Sequence, residues 1–247
     1  MTTRKDHLTQ IALVLGVSLG ASAIYSLLQL LETVLSPAGI AGSSTGLNQS
    51  ESSNQFFDLT YQLVGIGLAL VPVWLAIYFL HSGAQNFELG GWPLQGKDFL
   101  RAISLAAAIG IPGLALYAAA RASGFAVQVV AADAHIFWWS IPVLLLSAAR
   151  SAVVEEVIMV GFLFCKLEQL GFSFAKRNLV SAIIRGCYHA YQGFGGAVGN
   201  FVLGLVFGYT YRRWGRVAPL VIAHGILDAI VFVGYALLAK QLHAIGW

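Results

Sequence analysis

Glu155 and Glu156 stand side by side in Ser140–Leu167, a run that is otherwise almost wholly apolar. A carboxylate at bilayer depth costs at least ~2.5–3.5 kcal/mol on insertion scales, so an acid placed there calls for a function and a partner. Arg185 and His189 lie in the next apolar run, and His224 and Asp228 in the last. Each of these two pairs is spaced i,i+4, which predicts a shared helix face. A buried carboxylate beside an imidazole can hold a water and take its proton. A second imidazole with its i+4 carboxylate can orient a carbonyl or stabilise its oxyanion. Together those roles suit hydrolysis of an amide. Adjacent helix positions are ~100° apart, so one glutamate is expected to face the reacting groups and the other to brace a neighbour.

The elements that must carry these residues follow from composition. The 247 residues are 58% hydrophobic and 10% charged, with a mean hydropathy of +0.76. Soluble domains carry about 25% charged residues, so the chain reads as an all-α polytopic membrane protein with a central polar cavity. Strands are not expected, because the apolar runs are continuous rather than alternating. Cys165 and Cys187 fall inside apolar runs and read as small core residues, not a disulfide or a metal pair. The N-terminal run is too long for a signal-peptide core of ~7–15 residues and reads as a retained first span.

About seven spans are predicted: Leu8–Leu35, Phe57–Leu80, Phe99–Ala122, Trp139–Phe164, Leu179–Tyr191, Val198–Tyr211 and Val217–Leu238. There are eight if the last span or the Ser123–His135 connection divides. Pro72 and Pro112 are predicted kinks. Trp92-Pro93 and the run Phe137, Trp138, Trp139 read as interface anchors. With the N-terminus in the cytoplasm, ten of the 14 Lys and Arg fall on the cytoplasmic side and two, Arg121 and Lys240, on the other; Arg150 and Arg185 lie within spans. The positive-inside rule supports that orientation. At ~1.5 Å per residue, Glu155, His189 and His224 come to ~12–16 Å from the ends of three separate spans, and Asp228 to ~18 Å.

The arrangement Glu155-Glu156, then Arg185-x-x-Tyr188-His189, then His224-x-x-x-Asp228 resembles a known family. It is similar to the CPBP intramembrane proteins, also called the ABI or CAAX-protease-and-bacteriocin-processing family, which are similar to type II CAAX prenyl endopeptidases. The resemblance covers about Ser140–Tyr235. It divides the chain into residues 1–135, transmembrane helices without a motif, and residues 136–247, a core carrying the polar site. It implies an intramembrane endopeptidase acting on a membrane-associated peptide or protein. On this resemblance Glu155 and His189 activate water, Glu156, His224 and Asp228 complete the catalytic set, and Arg185 and Tyr188 support it. Two cofactor states stay open: a metal-free site, and a zinc ion held by His189, His224 and Glu155.

One position departs from the family pattern. The first motif, EExxxR, places arginine at 160, where this chain has Val160. Arg185 and Arg150 are the candidates to take its place. The alternative reading is therefore a catalytically impaired member acting as a membrane-protein binding partner or scaffold. Expected partners are membrane lipids and a peptide or protein, not nucleic acid. The expected location is a plasma membrane, bacterial in origin.

Overall fold

The computed structural model describes residues 3–82, 90, 91, 93–132 and 137–244, so Trp92 and the end of the Ser123–His135 connection lie outside the described residues. Each of the seven predicted runs folds as helix, in most cases with revised ends. The chain is an all-α polytopic integral membrane protein. Among the described residues, four helical segments are long and apolar enough to cross a bilayer: Gln55–His81, Gly96–Ala122, Phe194–Trp214 and Ala218–Leu238. A fifth is available if the bent N-terminal pair counts as one span. The remaining two runs fall short for physical reasons. One carries Arg150, Glu155, Glu156, Lys166 and Glu168, and the other has only 15 residues.

The first run is two helices, α1 (Arg4–Gly16) and α2 (Leu19–Leu35), which meet at 53°. Thr3 caps α1, receiving the Asp6 amide while Asp6 accepts from the Thr3 amide, which satisfies two otherwise orphaned donors. The second run is α3 (Gln55–Ala69) and α4 (Val71–His81), separated at Leu70. Pro72 sits in the first turn of α4, where its missing N–H costs nothing. Helix α5 (Gly96–Ala122) carries Pro112 inside it.

A correction concerns strands. The loop after α2 and the one after α5 pair through β1 (Ser44–Gly46) and β2 (Gln128–Val130), in parallel. Both strands are three residues long and lie in connections, not in apolar runs, so hydropathy carried no sign of them.

The fourth run begins as α6 (Ser140–Glu156), continues as a π-helical stretch (Val157–Phe162) and ends as α7 (Leu163–Gln169). Then come α8 (Phe174–Tyr188), a 3-10 turn (Ala190–Gln192), α9 (Phe194–Trp214) and α10 (Ala218–Ala244). Helix α8 packs along α9, α10 along α6 and α5, and α2 along α8. The approach of α9 to α8 depends on Gly204: a Cβ there would lie 2.9 Å from the Ala182 Cα and 3.2 Å from the Arg185 Cδ. One core of buried side chains draws on both halves of the chain, from Val14, Leu80 and Ala102 to Ile158, Phe162, Phe207 and Leu220. Arg216, just before α10, clamps the buried Asp98 of α5 through Nε at 3.0 Å and Nη2 at 2.9 Å. Such two-pronged, charge-assisted contacts are the stronger kind. Outward faces carry exposed Leu35, Trp74, Tyr78, Leu100, Ile111 and Ile230, as lipid contact requires. Cys165 is buried, Cys187 half-buried, and both are free thiols.

Candidate active site

The two glutamates end α6, and the π-helical stretch starts on the next residue. All six residues of that stretch are buried. A π-turn inside a helix is frequent at functional sites, because it re-aims the side chains that flank it. Val160, the residue in the place of the motif arginine, lies in this stretch, 1% exposed in the apolar core.

The missing cation comes from α8 instead. Arg185 is 1% exposed, and its guanidinium spans both acids: Nη1 donates to Glu155 Oε2 at 3.3 Å and Nη2 to Glu156 Oε1 at 2.7 Å. The ~100° separation of the two acids is bridged by the fork of one arginine, a geometry that lysine's point charge lacks. The guanidinium also lies over the Phe207 ring, 5.5 Å from its centre.

From this centre two arms extend. On one, the Tyr188 hydroxyl donates to Glu155 Oε2 at 2.8 Å, and His189 Nε2 stands 3.6 Å from the same oxygen. Glu155 Oε2 is thus the meeting point of three side chains from one segment. His189 is not within the helix, as its i,i+4 spacing from Arg185 had suggested. Helix α8 ends at Tyr188, and His189 is its C-cap, with φ −103° and ψ 5°. Helix α9 then starts after Gly193, whose φ is +89°. A Cβ there would lie 2.8 Å from the Phe125 carbonyl oxygen, so only glycine fits that turn. On the other arm, His224 Nδ1 donates to Glu156 Oε1 at 2.7 Å, and its Nε2 lies 3.5 Å from Asp228 Oδ2 across one helical turn of α10. Since Glu156 Oε1 already accepts from Arg185, the imidazole proton must sit on Nδ1 for the contact to be attractive.

All seven residues singled out in the sequence therefore meet in one linked cluster from α6, α8 and α10. Its polar atoms are not all satisfied: Glu156 Oε2, Arg185 Nε and His189 Nε2 are buried without a hydrogen-bond partner. Two residues escaped the sequence reading. Ser26 of α2 is 4% exposed and accepts from the Tyr191 amide at 2.7 Å, which ties the His189 turn to the N-terminal helices. Gln192 places its Nε2 3.5 Å from His189 Nδ1 and 3.0 Å from the Tyr191 hydroxyl. A serine in an apolar helix carries no local sign of such a role.

The zinc alternative shifts in its ligands. Glu155, Glu156 and His224 offer donor atoms within 4.8 Å of one another, so Glu156 stands where His189 was expected. Carboxylate and imidazole are suitable zinc ligands by type. However, Glu156 Oε1 and His224 Nδ1 are bonded to each other, and the Arg185 guanidinium lies 2.7 Å from that oxygen. An ion there would have to displace that hydrogen bond and sit against the guanidinium, which weighs against it.

No curated protein and no solved structure matches the chain. A family model does, over the stretch that holds the whole cluster: residues 137–230 match the Rce1-like type II CAAX prenyl endopeptidases, the family kin that the three motifs point to.

Proposed function

We infer that this protein is an intramembrane endopeptidase in which Glu155 and His189 activate a water against a peptide bond. The observation that carries the reading is the convergence of Arg185, Tyr188 and His189 on one oxygen of Glu155. Arg185 and Tyr188 hold that carboxylate in place. Water, positioned by His189 Nε2, gives its proton to Glu155 while its oxygen attacks the carbonyl carbon. Protonated on both nitrogens, His224 gives its Nδ1–H to Glu156 and turns its Nε2–H, beside Asp228 Oδ2, to the developing oxyanion. Collapse breaks the C–N bond, and Glu155 returns the proton to the leaving amine. Positioned acid–base groups of this kind contribute roughly 10²–10⁴-fold to rate. Glu156 acts one step back, holding Arg185 and His224 in register.

The test is cleavage of a library of N-terminally lipidated, internally quenched peptides by the purified protein in nanodiscs. Glu155→Gln and His189→Ala should abolish cleavage, while Glu168→Gln, an exposed partner of Arg177, leaves it intact. Cleavage by either of the first two variants at the wild-type rate sinks the assignment. A second reading, an impaired member that binds a membrane protein without cutting it, is favoured by Val160 and by the extent to which the polar groups are engaged with one another. It predicts no cleavage by the wild type and a stoichiometric partner on co-purification. The distribution of Lys and Arg supports a cytoplasmic N-terminus, which cysteine accessibility at residue 3 would test.

A further inference from the structure

A small cavity lies at the end of α6 remote from the glutamates, walled by the start of α6, by α3, by α10 and by the loop after β1. Its volume is about 40 Å³, above the ~10–15 Å³ that one water needs, so it has room for a few water-sized groups. Asp58 of α3 lines it and is 2% exposed. Its Oδ1 accepts the Glu51 amide at 2.7 Å. Among the described residues Asp58 enters no ion pair, and Oδ2 accepts no hydrogen bond. A carboxylate in the first turn of α3 also offsets the helix dipole, but that role leaves Oδ2 over. A buried charge without a partner is costly. Gln62 is four residues on, shares that helix face and lines the same cavity. Its Nε2 donates to the Gln49 carbonyl at 2.8 Å, so its amide oxygen is the end left over. Ser50, a third lining residue, gives its proton to the Ser52 carbonyl at 2.9 Å and keeps its lone pairs. Three groups therefore offer acceptors with their donors already spent, and one of the three is charged. Phe137 and Trp139 complete the wall, their rings stacked 5.2 Å apart, and ring faces attract cations.

We propose that this cavity binds a primary ammonium group, carried by the headgroup of an aminophospholipid or by a free amine of the same size. Size and donor count select the group. An –NH₃⁺ is water-sized and has three N–H donors for the three acceptors. A trimethylammonium is bulkier and has none. Calcium takes about six to eight oxygen ligands and magnesium a strict octahedron, which a single carboxylate in this lining does not suggest. Exposed Phe56, Tyr61 and Trp138 adjoin the lining residues in the chain. Amphipathic rings settle at the headgroup level of a bilayer, where lipid amines are found. An occupant would tie α3 to the start of α6, whose other end carries Glu155 and Glu156. The inference is independent of the peptidase reading.

The test places the full chain in nanodiscs that mix phosphatidylethanolamine with its mono-, di- and trimethylated forms in equal amounts, and native mass spectrometry reads which lipid stays on the protein. Wild type should retain the primary amine over the trimethylated lipid about tenfold or more, the size of one hydrogen bond to a charged group, with the preference falling at each added methyl. Asp58→Asn keeps an acceptor for the Glu51 amide and removes the charge, so its ratio should fall to within about twofold. Glu51→Gln, at an exposed acid of the same loop, should keep the wild-type ratio. A second arm adds ethanolamine, or choline as its trimethylated counterpart, to nanodiscs of phosphatidylcholine alone and follows the unfolding midpoint. A lipid preference with no response to ethanolamine assigns the site to the headgroup. A midpoint raised by ethanolamine and not by choline, without a lipid preference, assigns it to free amines. A flat methylation series together with no response to ethanolamine overturns the proposal without need of any variant. So does a preference or a response that survives Asp58→Asn.

Discussion

Removing Arg185 should cost more stability than any other single change at the site. Arg185→Met keeps most of the volume packed on Phe207 and deletes the charge that Glu155 and Glu156 share at 3.3 and 2.7 Å. Breaking a buried ion pair from one side costs about 3–5 kcal/mol, because the remaining charge is stranded. Here two carboxylates are stranded, but each keeps one donor: Tyr188 for Glu155 and His224 for Glu156. Those donors hold the expected loss near the lower end, about 3 kcal/mol. Arg185→Lys reaches only one acid and should lose about 1.5–3 kcal/mol, the size of one hydrogen bond to a charged group. The double variant Arg185→Met, Glu156→Gln removes one stranded charge and should recover at least about 1 kcal/mol relative to additivity. Unfolding by SDS titration in mixed micelles, followed by far-UV circular dichroism, measures these four proteins and the Glu156→Gln single variant that completes the cycle. The reasoning is refuted if Arg185→Met lies within about 0.5 kcal/mol of wild type, or if the double variant is additive.

Val160→Arg restores the family motif in sequence but not in space, since the site of insertion is the buried π-helical stretch and both acids already have their cation. It should lower the unfolding midpoint and reduce cleavage; a gain in cleavage rate would show that position 160 does face the glutamates. Ser26→Ala removes the acceptor of the Tyr191 amide and should cost about 1–3 kcal/mol for the stranded donor. Because that bond positions the His189 turn, kcat should fall while KM holds, and a full set of rate curves with kcat unchanged would leave Ser26 with packing alone.

The legible part of this protein was the part that water and lipid decide one residue at a time. Long apolar runs must become helices, since a bilayer offers a bare backbone no partners. Charged residues inside such runs must meet, since none is tolerated alone. From those two constraints, Glu155, Glu156, Arg185, His189, His224 and Asp228 could be named as one cluster before any coordinate was known. The details of who holds whom were not legible. The sequence left Arg185 and Arg150 both open as the cation to replace the arginine missing at Val160, and the fold chose Arg185, which bridges both acids from another helix. The i,i+4 rule put His189 inside α8, while the chain leaves the helix one residue earlier to cross the Gly193 turn. The two three-residue strands, the π-helical stretch and the Ser26–Tyr191 bond likewise left no pattern in hydropathy.

What the sequence determined by itself, then, was the solvent of each segment and the inventory of groups forced into it, because transfer free energies act on residues locally. What only the tertiary structure decided was the pairing. A guanidinium's choice between one helix and the next depends on distances of a few tenths of an ångström, set by how closely α8 and α9 approach at Gly204 and where the π-helical stretch turns the end of α6. That choice committed Arg185 to both glutamates and left Arg150 with the serine hydroxyls of its own helix.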